Sequence, residues 1–217
     1  MEKHQKQPMS REKVLNSSDE EIIDLAERIR IGYELKKTIR YGREKDLSKH
    51  SESVAEHVFA LFLLAKFFLP LEDPESNLDP VRIHELILFH DFGEIPSGDI
   101  PNHLKSEADE AQEEEDAKEV FQQLPESLNN VGLDSWNEYE NLDTQEAQFA
   151  YALDKIEPAF ELLDPISHES LTLMKYTYEM HITNKLEATE KFPVMRKFVD
   201  ALSKKLKEDR VFWEDKS

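Results

Sequence analysis

Apolar residues recur three and four positions apart along most of this 217-residue chain, the spacing of amphipathic helices. Ile22, Leu25, Ile29 and Leu35 form one stripe behind Ser17 or Ser18. Either serine can cap a helix whose first turn, Asp19, Glu20 and Glu21, is acidic. That helix is expected to end near Arg40-Tyr41-Gly42, with the polar stretch 43–52 as a loop. A second helix is predicted over 53–69, stopped by Pro70. A third is predicted from Asp79-Pro80, with the proline at the first helical position, to the pair His90-Asp91. Pro96, Gly98 and Pro101 exclude a regular helix from 95–103. Phe121, Leu124 and Leu128 resume core packing, and 137–143 reads as a turn. Asp143 or Thr144 then caps a helix carrying Phe149, Leu153, Ile156 and Phe160, ended by Pro165. Two more helices are predicted over 167–184 and 189–207. No segment alternates like a strand and no repeat is visible. The pattern predicts an all-α, single-domain helical bundle over 18–210, preceded by a polar segment over 1–17.

Composition narrows the chemistry. Five glycines in the whole chain argue against a turn-rich β protein. With 39% hydrophobic and 34% charged residues, the chain is expected to be soluble and folded. The absence of cysteine excludes disulfides, thiolate zinc sites and a cysteine nucleophile. The start of the chain lacks the apolar core of a signal peptide. The most apolar segment, 59–71, is interrupted by Lys66 and Pro70 and is expected to be too short to span a bilayer. A cytoplasmic protein without membrane attachment is therefore expected. The net charge of −20 predicts no binding of nucleic-acid duplexes. A few local cations can still hold one phosphate group. Eight acidic residues and one lysine fill 107–119, which reads as an exposed acidic helix start or a mobile segment.

One pair of residues does not fit a bland surface. His90-Asp91 ends the apolar run Leu86-Ile87-Leu88-Phe89, where a charged pair is costly to bury unless something binds it. A divalent cation is the simplest partner, because imidazole nitrogen and carboxylate oxygen both suit one. His57, in phase with Leu61, Leu64 and Phe68, reads on its own as a core histidine. Asp154, one position off the Leu153 stripe, reads on its own as a solvated aspartate. Ala147 and Ala150 permit close helix approach before it, and Pro158 cannot donate to its carbonyl, so a kink is expected. His84-Glu85 does not open a two-histidine zinc motif, since Leu88 holds the fifth position. No glycine-rich phosphate loop and no Gly-x-Ser-x-Gly turn is present.

The set His57, His90-Asp91 and Asp154 resembles the ligand pattern of the HD-domain metal-dependent phosphohydrolases. Three longer stretches resemble the small 5′-deoxynucleotidase branch of that family, over roughly residues 18 to 163. They are Glu52-Ser53-Val54-Ala55-Glu56-His57, His90-Asp91-x-x-Glu94-x-x-x-Gly98-Asp99-Ile100-Pro101, and Ala152-Leu153-Asp154-Lys155. The resemblance implies a helical bundle, a homodimer, and hydrolysis of nucleoside or deoxynucleoside 5′-monophosphates to nucleoside and phosphate. It implies one divalent ion per chain (Mn, Co, Fe, Ni, Zn or Mg) on His57, His90, Asp91 and Asp154. Glu94 and Asp99 match acidic residues placed for proton transfer and water positioning. Arg40 and Lys105 match phosphate contacts. Tyr41 is open between stacking on a base and core packing, while His84 and His103 are expected to be structural or solvent-facing. The same scaffold admits a phosphodiesterase or signalling-nucleotide hydrolase, or a non-catalytic nucleotide-binding protein. A di-iron oxygenase is disfavoured, because Glu94 stands where a further histidine is needed and only His103 lies between Asp91 and Asp154.

Overall fold

Ser53 and Glu56 cap each other. The Ser53 side chain accepts from the Glu56 amide and the Glu56 carboxylate accepts from the Ser53 amide. This capping box starts helix α1 (Val54–Glu72). The computed structural model describes residue 38, residues 53–163 and residues 165–214. The expected first helix, Arg40 and Tyr41 lie outside the described residues.

Asp79 caps α2 (Pro80–Phe89) by accepting from the Val81 amide at 2.8 Å, with Pro80 in the first turn as expected. A single helical turn, α3 (Glu94–Ser97), follows the His-Asp pair. Pro96 fits there because the first turn of a helix has no partner for its N–H groups. The acidic stretch becomes α4 (Glu107–Gln123), opened by a capping box between Ser106 and Asp109. Then come α5 (Glu126–Asn141) and α6 (Gln145–Glu161), the latter capped by Thr144. The chain closes with α7 (His168–Leu173), α8 (Tyr178–Ala188) and α9 (Pro193–Glu208). No strand element occurs among the described residues.

Helix α6 is the axis of the bundle, packing against α1, α2, α5, α8 and α9. Its small residues Ala147, Ala150, Ala152 and Ala159 are buried, which lets neighbouring backbones approach on several sides. Phe149, Leu153 and Ile156 fill the space between them with no exposed surface. A second, smaller apolar cluster holds the far end through Leu162, Leu171, Met174, Leu206 and Phe212.

Four expectations about elements are corrected. Pro70 does not stop α1, which runs on to Glu72. Pro70 and Lys66 are both exposed, so the carbonyl that loses its hydrogen bond is on the water side. The turn expected over 137–143 shrinks to Leu142, in left-handed conformation at φ 54°, because α5 continues to Asn141. The helix expected over 167–184 is two helices, broken after Met174, with Lys175 at φ 51°. The last helix starts at Pro193 rather than 189, since proline keeps Phe192 out of helical conformation.

Helix α1 also departs from the expectation on length. At 19 residues it is long and apolar enough, by composition alone, to cross a membrane. In the bundle, Val54, Val58, Leu61, Ala65 and Phe68 are buried, while Phe59 (73% exposed) and Leu63 (64% exposed) lie on the outer face.

Candidate metal centre

Three helices bring the expected ligands together. His57 lies in the first turn of α1, His90 caps the C-terminal end of α2, and Asp154 lies inside α6. Possible ligand atoms of His57, His90 and Asp91 all fall within 4.8 Å of one another. Asp154 joins them, with Oδ1 3.1 Å from His57 Nε2 and 4.0 Å from His90 Nε2. All four residues are buried.

Hydrogen bonding sets which nitrogen faces the cluster. His90 Nδ1 donates to the Ile87 carbonyl at 2.9 Å, since a carbonyl can only accept. Nε2 of a neutral His90 therefore presents a lone pair, and it stands 3.0 Å from Asp91 Oδ1. That pair is close but not aligned as a hydrogen bond, and both His90 Nε2 and Asp91 Oδ2 are buried without a hydrogen-bond partner. His57 repeats the arrangement. Its Nδ1 is 3.0 Å from the Glu157 carboxylate, which leaves Nε2 directed at Asp154. Lone pairs facing carboxylate oxygens in a buried site repel unless positive charge lies between them. A divalent ion meets that need at all four residues at once, and the mixed nitrogen and oxygen donors suit one. The residues present therefore fit the ion that the sequence implied.

Electrostatics around Asp154 favours its ionised form. Burial alone would raise its pKa, but the neighbouring charges, the Lys155 ammonium first, outweigh burial and hold the carboxyl well below its usual range. Lys155 Nζ is 2.7 Å from Oδ2, and the Tyr139 hydroxyl donates to the same oxygen at 3.0 Å. Burial, then the carboxylates of Asp154 and Asp91, push the Tyr139 hydroxyl well above its ordinary pKa, so it remains a donor.

Glu94, Asp99 and Lys105 lie on the segment that follows the His-Asp pair. Glu94 opens α3 one turn after Asp91, its amide donating to the Asp91 carbonyl at 3.1 Å. Asp99 is buried directly after Gly98, whose φ of 79° makes the sharp turn there. Lys105 ion-pairs with Glu113. Burial would lower its pKa, but Glu113 and then Glu94 outweigh that and raise it. His84 is exposed and packs on the edge of Phe62, apart from the cluster, as expected for a structural role. Glu157, Tyr139 and Lys155 were not anticipated. Glu157 follows Asp154 by three positions, the spacing of one helical face, and Lys155 closes the stretch Ala152-Leu153-Asp154-Lys155 that carried the resemblance, while Tyr139 had no signal in the sequence.

An all-α bundle carrying a buried His, His-Asp and Asp cluster defines the class. The chain matches the HD domain family over residues 33–207 and belongs to that family. It is similar to the 5′-deoxynucleotidase HDDC2 of Homo sapiens, 32% identical over 131 residues, which are 59% of this chain and 62% of that protein. The Mus musculus 5′-deoxynucleotidase HDDC2 is likewise 32% identical over 131 residues, covering 59% of this chain and 63% of the relative. The match thus spans less than two thirds of the length of these relatives. A solved structure, of a predicted metal-dependent phosphohydrolase from Magnetospirillum magnetotacticum MS-1, shares the fold with a TM-score of 0.69. It is 23% identical, and the match covers 89% of this chain and 96% of that one.

Proposed function

We propose that this chain is a metal-dependent phosphomonoesterase that hydrolyses nucleoside or deoxynucleoside 5′-monophosphates to nucleoside and phosphate. The observation that carries the reading is the pair of histidine Nε2 atoms turned toward the Asp91 and Asp154 carboxylates in one buried cluster. The similarity to 5′-deoxynucleotidases supports the choice of substrate. In this reading His57, His90, Asp91 and Asp154 hold one divalent ion per chain. When bound, the ion screens the phosphate charge and eases ionisation of the attacking water.

The chain's own groups do the rest. Ile87 and Glu157 fix the orientation of the two imidazoles through their Nδ1 atoms. Lys155 and Tyr139 keep Asp154 ionised and in place. In this reading Glu94 moves a proton to the leaving 5′-oxygen and Asp99 orients water. Arg40 and Lys105 are the proposed phosphate contacts, with Lys105 sharing its charge with Glu113. The reading includes one catalytic domain over 18–210, a homodimer, a cytoplasmic setting, and no attachment to membranes or duplex nucleic acid.

A substrate screen tests it. Chelated protein is resupplied with Mn, Co, Ni, Zn or Mg and offered ribo- and deoxyribonucleoside 5′-monophosphates beside a nucleotide diester. Phosphate release from the monoesters alone is the expected result. Turnover of the diester alone would favour the phosphodiesterase reading, and no turnover of either would favour a nucleotide-binding protein.

A further inference from the structure

Most of the acidic stretch 107–119 is a solvated face, on which Lys118 pairs with the exposed Glu114 and Glu115. Glu113 is different. Its side chain is only 13% exposed and lies where α4 packs against α3 and the turn after His90-Asp91. Two contacts hold α4 there. The Phe92 and Phe121 rings stack with centroids 5.6 Å apart and planes nearly parallel. Gly93 makes room for the second contact. A Cβ at that position would lie 2.8 Å from Glu113 Cγ and 3.0 Å from the Glu113 carbonyl oxygen. The stem of Glu113 therefore runs directly over the turn that joins Asp91 to Glu94.

Lys105 reaches the same place from the other side. It immediately precedes Ser106, the cap of α4, and its ammonium pairs with the Glu113 carboxylate. After Glu113, the carboxylates that act most on this ammonium are Glu94 and Glu140. A lysine carries its charge on a flexible four-carbon stem, so an untethered ammonium is free to settle on any of them. An ammonium also has three N–H donors, and a pair with Glu113 leaves others for a phosphate. Fixing the stem in advance takes the cost of ordering it out of substrate binding.

We infer that Glu113 is a positioning residue that holds the Lys105 ammonium toward the substrate phosphate and keeps it off Glu94. The inference rests on the phosphomonoesterase reading, with Lys105 as a phosphate contact, and adds what sets that lysine in place. Through Gly93 and the Phe92–Phe121 stack, Glu113 is fixed to the turn that carries Asp91 and Glu94. Lys105 is thereby held in register with the metal-ligand candidates as well as with its own segment.

The test is a double-mutant cycle on the metal-supplied protein. Glu113→Gln keeps the stem over Gly93 and removes the charge. Lys105→Met keeps the length of the side chain and removes the ammonium. The readouts are KM for deoxyadenosine monophosphate and Ki for inorganic phosphate, each set against kcat. Glu113→Gln should raise KM and Ki together by roughly threefold to tenfold, the cost of one side chain that must be ordered on binding. Its kcat should change far less. In the Lys105→Met background, where both constants are already raised, Glu113→Gln should add nothing further. Constants unchanged or lowered in Glu113→Gln, or raised equally in both backgrounds, overturn the inference and leave the phosphomonoesterase reading intact. Unchanged constants in Lys105→Met do the same. If the wild type releases no phosphate from the monoester, that reading fails instead. Calorimetry with inorganic phosphate then decides the role of Glu113 through the same cycle, and no phosphate binding at millimolar concentration overturns it.

Discussion

The His57 ring is held between two carboxylates one helical turn apart on α6, with Nε2 3.1 Å from Asp154 and Nδ1 3.0 Å from Glu157. Glu157 is thereby a positioning residue: it holds the ring and makes Nε2 the better donor to an ion. Glu157→Gln keeps the shape and an accepting oxygen but removes the charge. Metal affinity should fall by roughly tenfold to a hundredfold, as for other partners of metal-bound histidines. Competition titration against a chelator reads this directly, and an unchanged affinity would show that Glu157 does not support the site.

A bound ion should also stabilise the fold, because it binds the native chain and not the unfolded one. At a free concentration a hundred times its Kd, the gain is about 2.7 kcal/mol. The melting midpoint should rise on adding the ion to chelated wild type and stay still for Asp91→Asn. Equal shifts in both proteins would place the ion elsewhere.

Away from the site, Arg82 ties α2 to α5. Its guanidinium donates to Glu138 at 2.6 and 2.9 Å and to Ser135 Oγ at 2.9 Å. Burial acts to raise the Glu138 pKa, but Arg82 and Thr144 outweigh it and leave the value below the ordinary 4.5. A carboxyl depressed on folding contributes stability that is present above its unfolded pKa and lost as pH falls through the folded one. Arg82→Ala should therefore cost about 1–2 kcal/mol at pH 7. Less of that difference should remain below pH 4.5. Urea unfolding of both proteins at pH 7 and under acid checks it, and a cost independent of pH would assign the loss to packing alone.

Gly132 sets two effects against each other. Alanine in the middle of α5 gains about 1 kcal/mol in helix propensity. The added Cβ, however, would lie 2.5 Å from the Phe121 ring and 3.3 Å from the Phe89 ring. Both rings are buried, so relief requires the core to move. Gly132→Ala should be destabilising by about 1–3 kcal/mol, and Phe121→Leu in the same chain should recover part of it. A more stable Gly132→Ala protein would mean that the phenylalanines yield without cost.

Much of this architecture was legible because its signals are local. Ser53, Asp79-Pro80 and Thr144 mark helix starts through bonds to residues two or three positions away. Signals read as helix ends were less secure. Pro70 removes one hydrogen bond, and the helix continues across it; Pro158, read as a kink and not as an end, also lies inside its helix. The polar run around Asn137 and Glu138 resembled a turn, yet Tyr139 points inward to Asp154 and Glu138 is engaged by Arg82. In 167–184 the apolar spacing is continuous while the backbone is not. Of the ligand set, His90-Asp91 was visible as a charged pair placed against an apolar run, while His57 and Asp154 entered through the family resemblance. Tyr139 was not visible, since its role depends on a partner distant in the chain.

The central claim is that His57, His90, Asp91 and Asp154 hold an ion on which phosphomonoester hydrolysis depends. Phosphate release from deoxyadenosine monophosphate tests it most directly, measured with metal content on chelated and resupplied wild type, Asp91→Asn and Glu94→Gln. The account predicts that wild type recovers activity with the ion and that Asp91→Asn loses both ion and activity. Glu94→Gln should keep the ion while turnover falls by roughly a hundredfold. Phosphate release that survives both chelation and Asp91→Asn would contradict it.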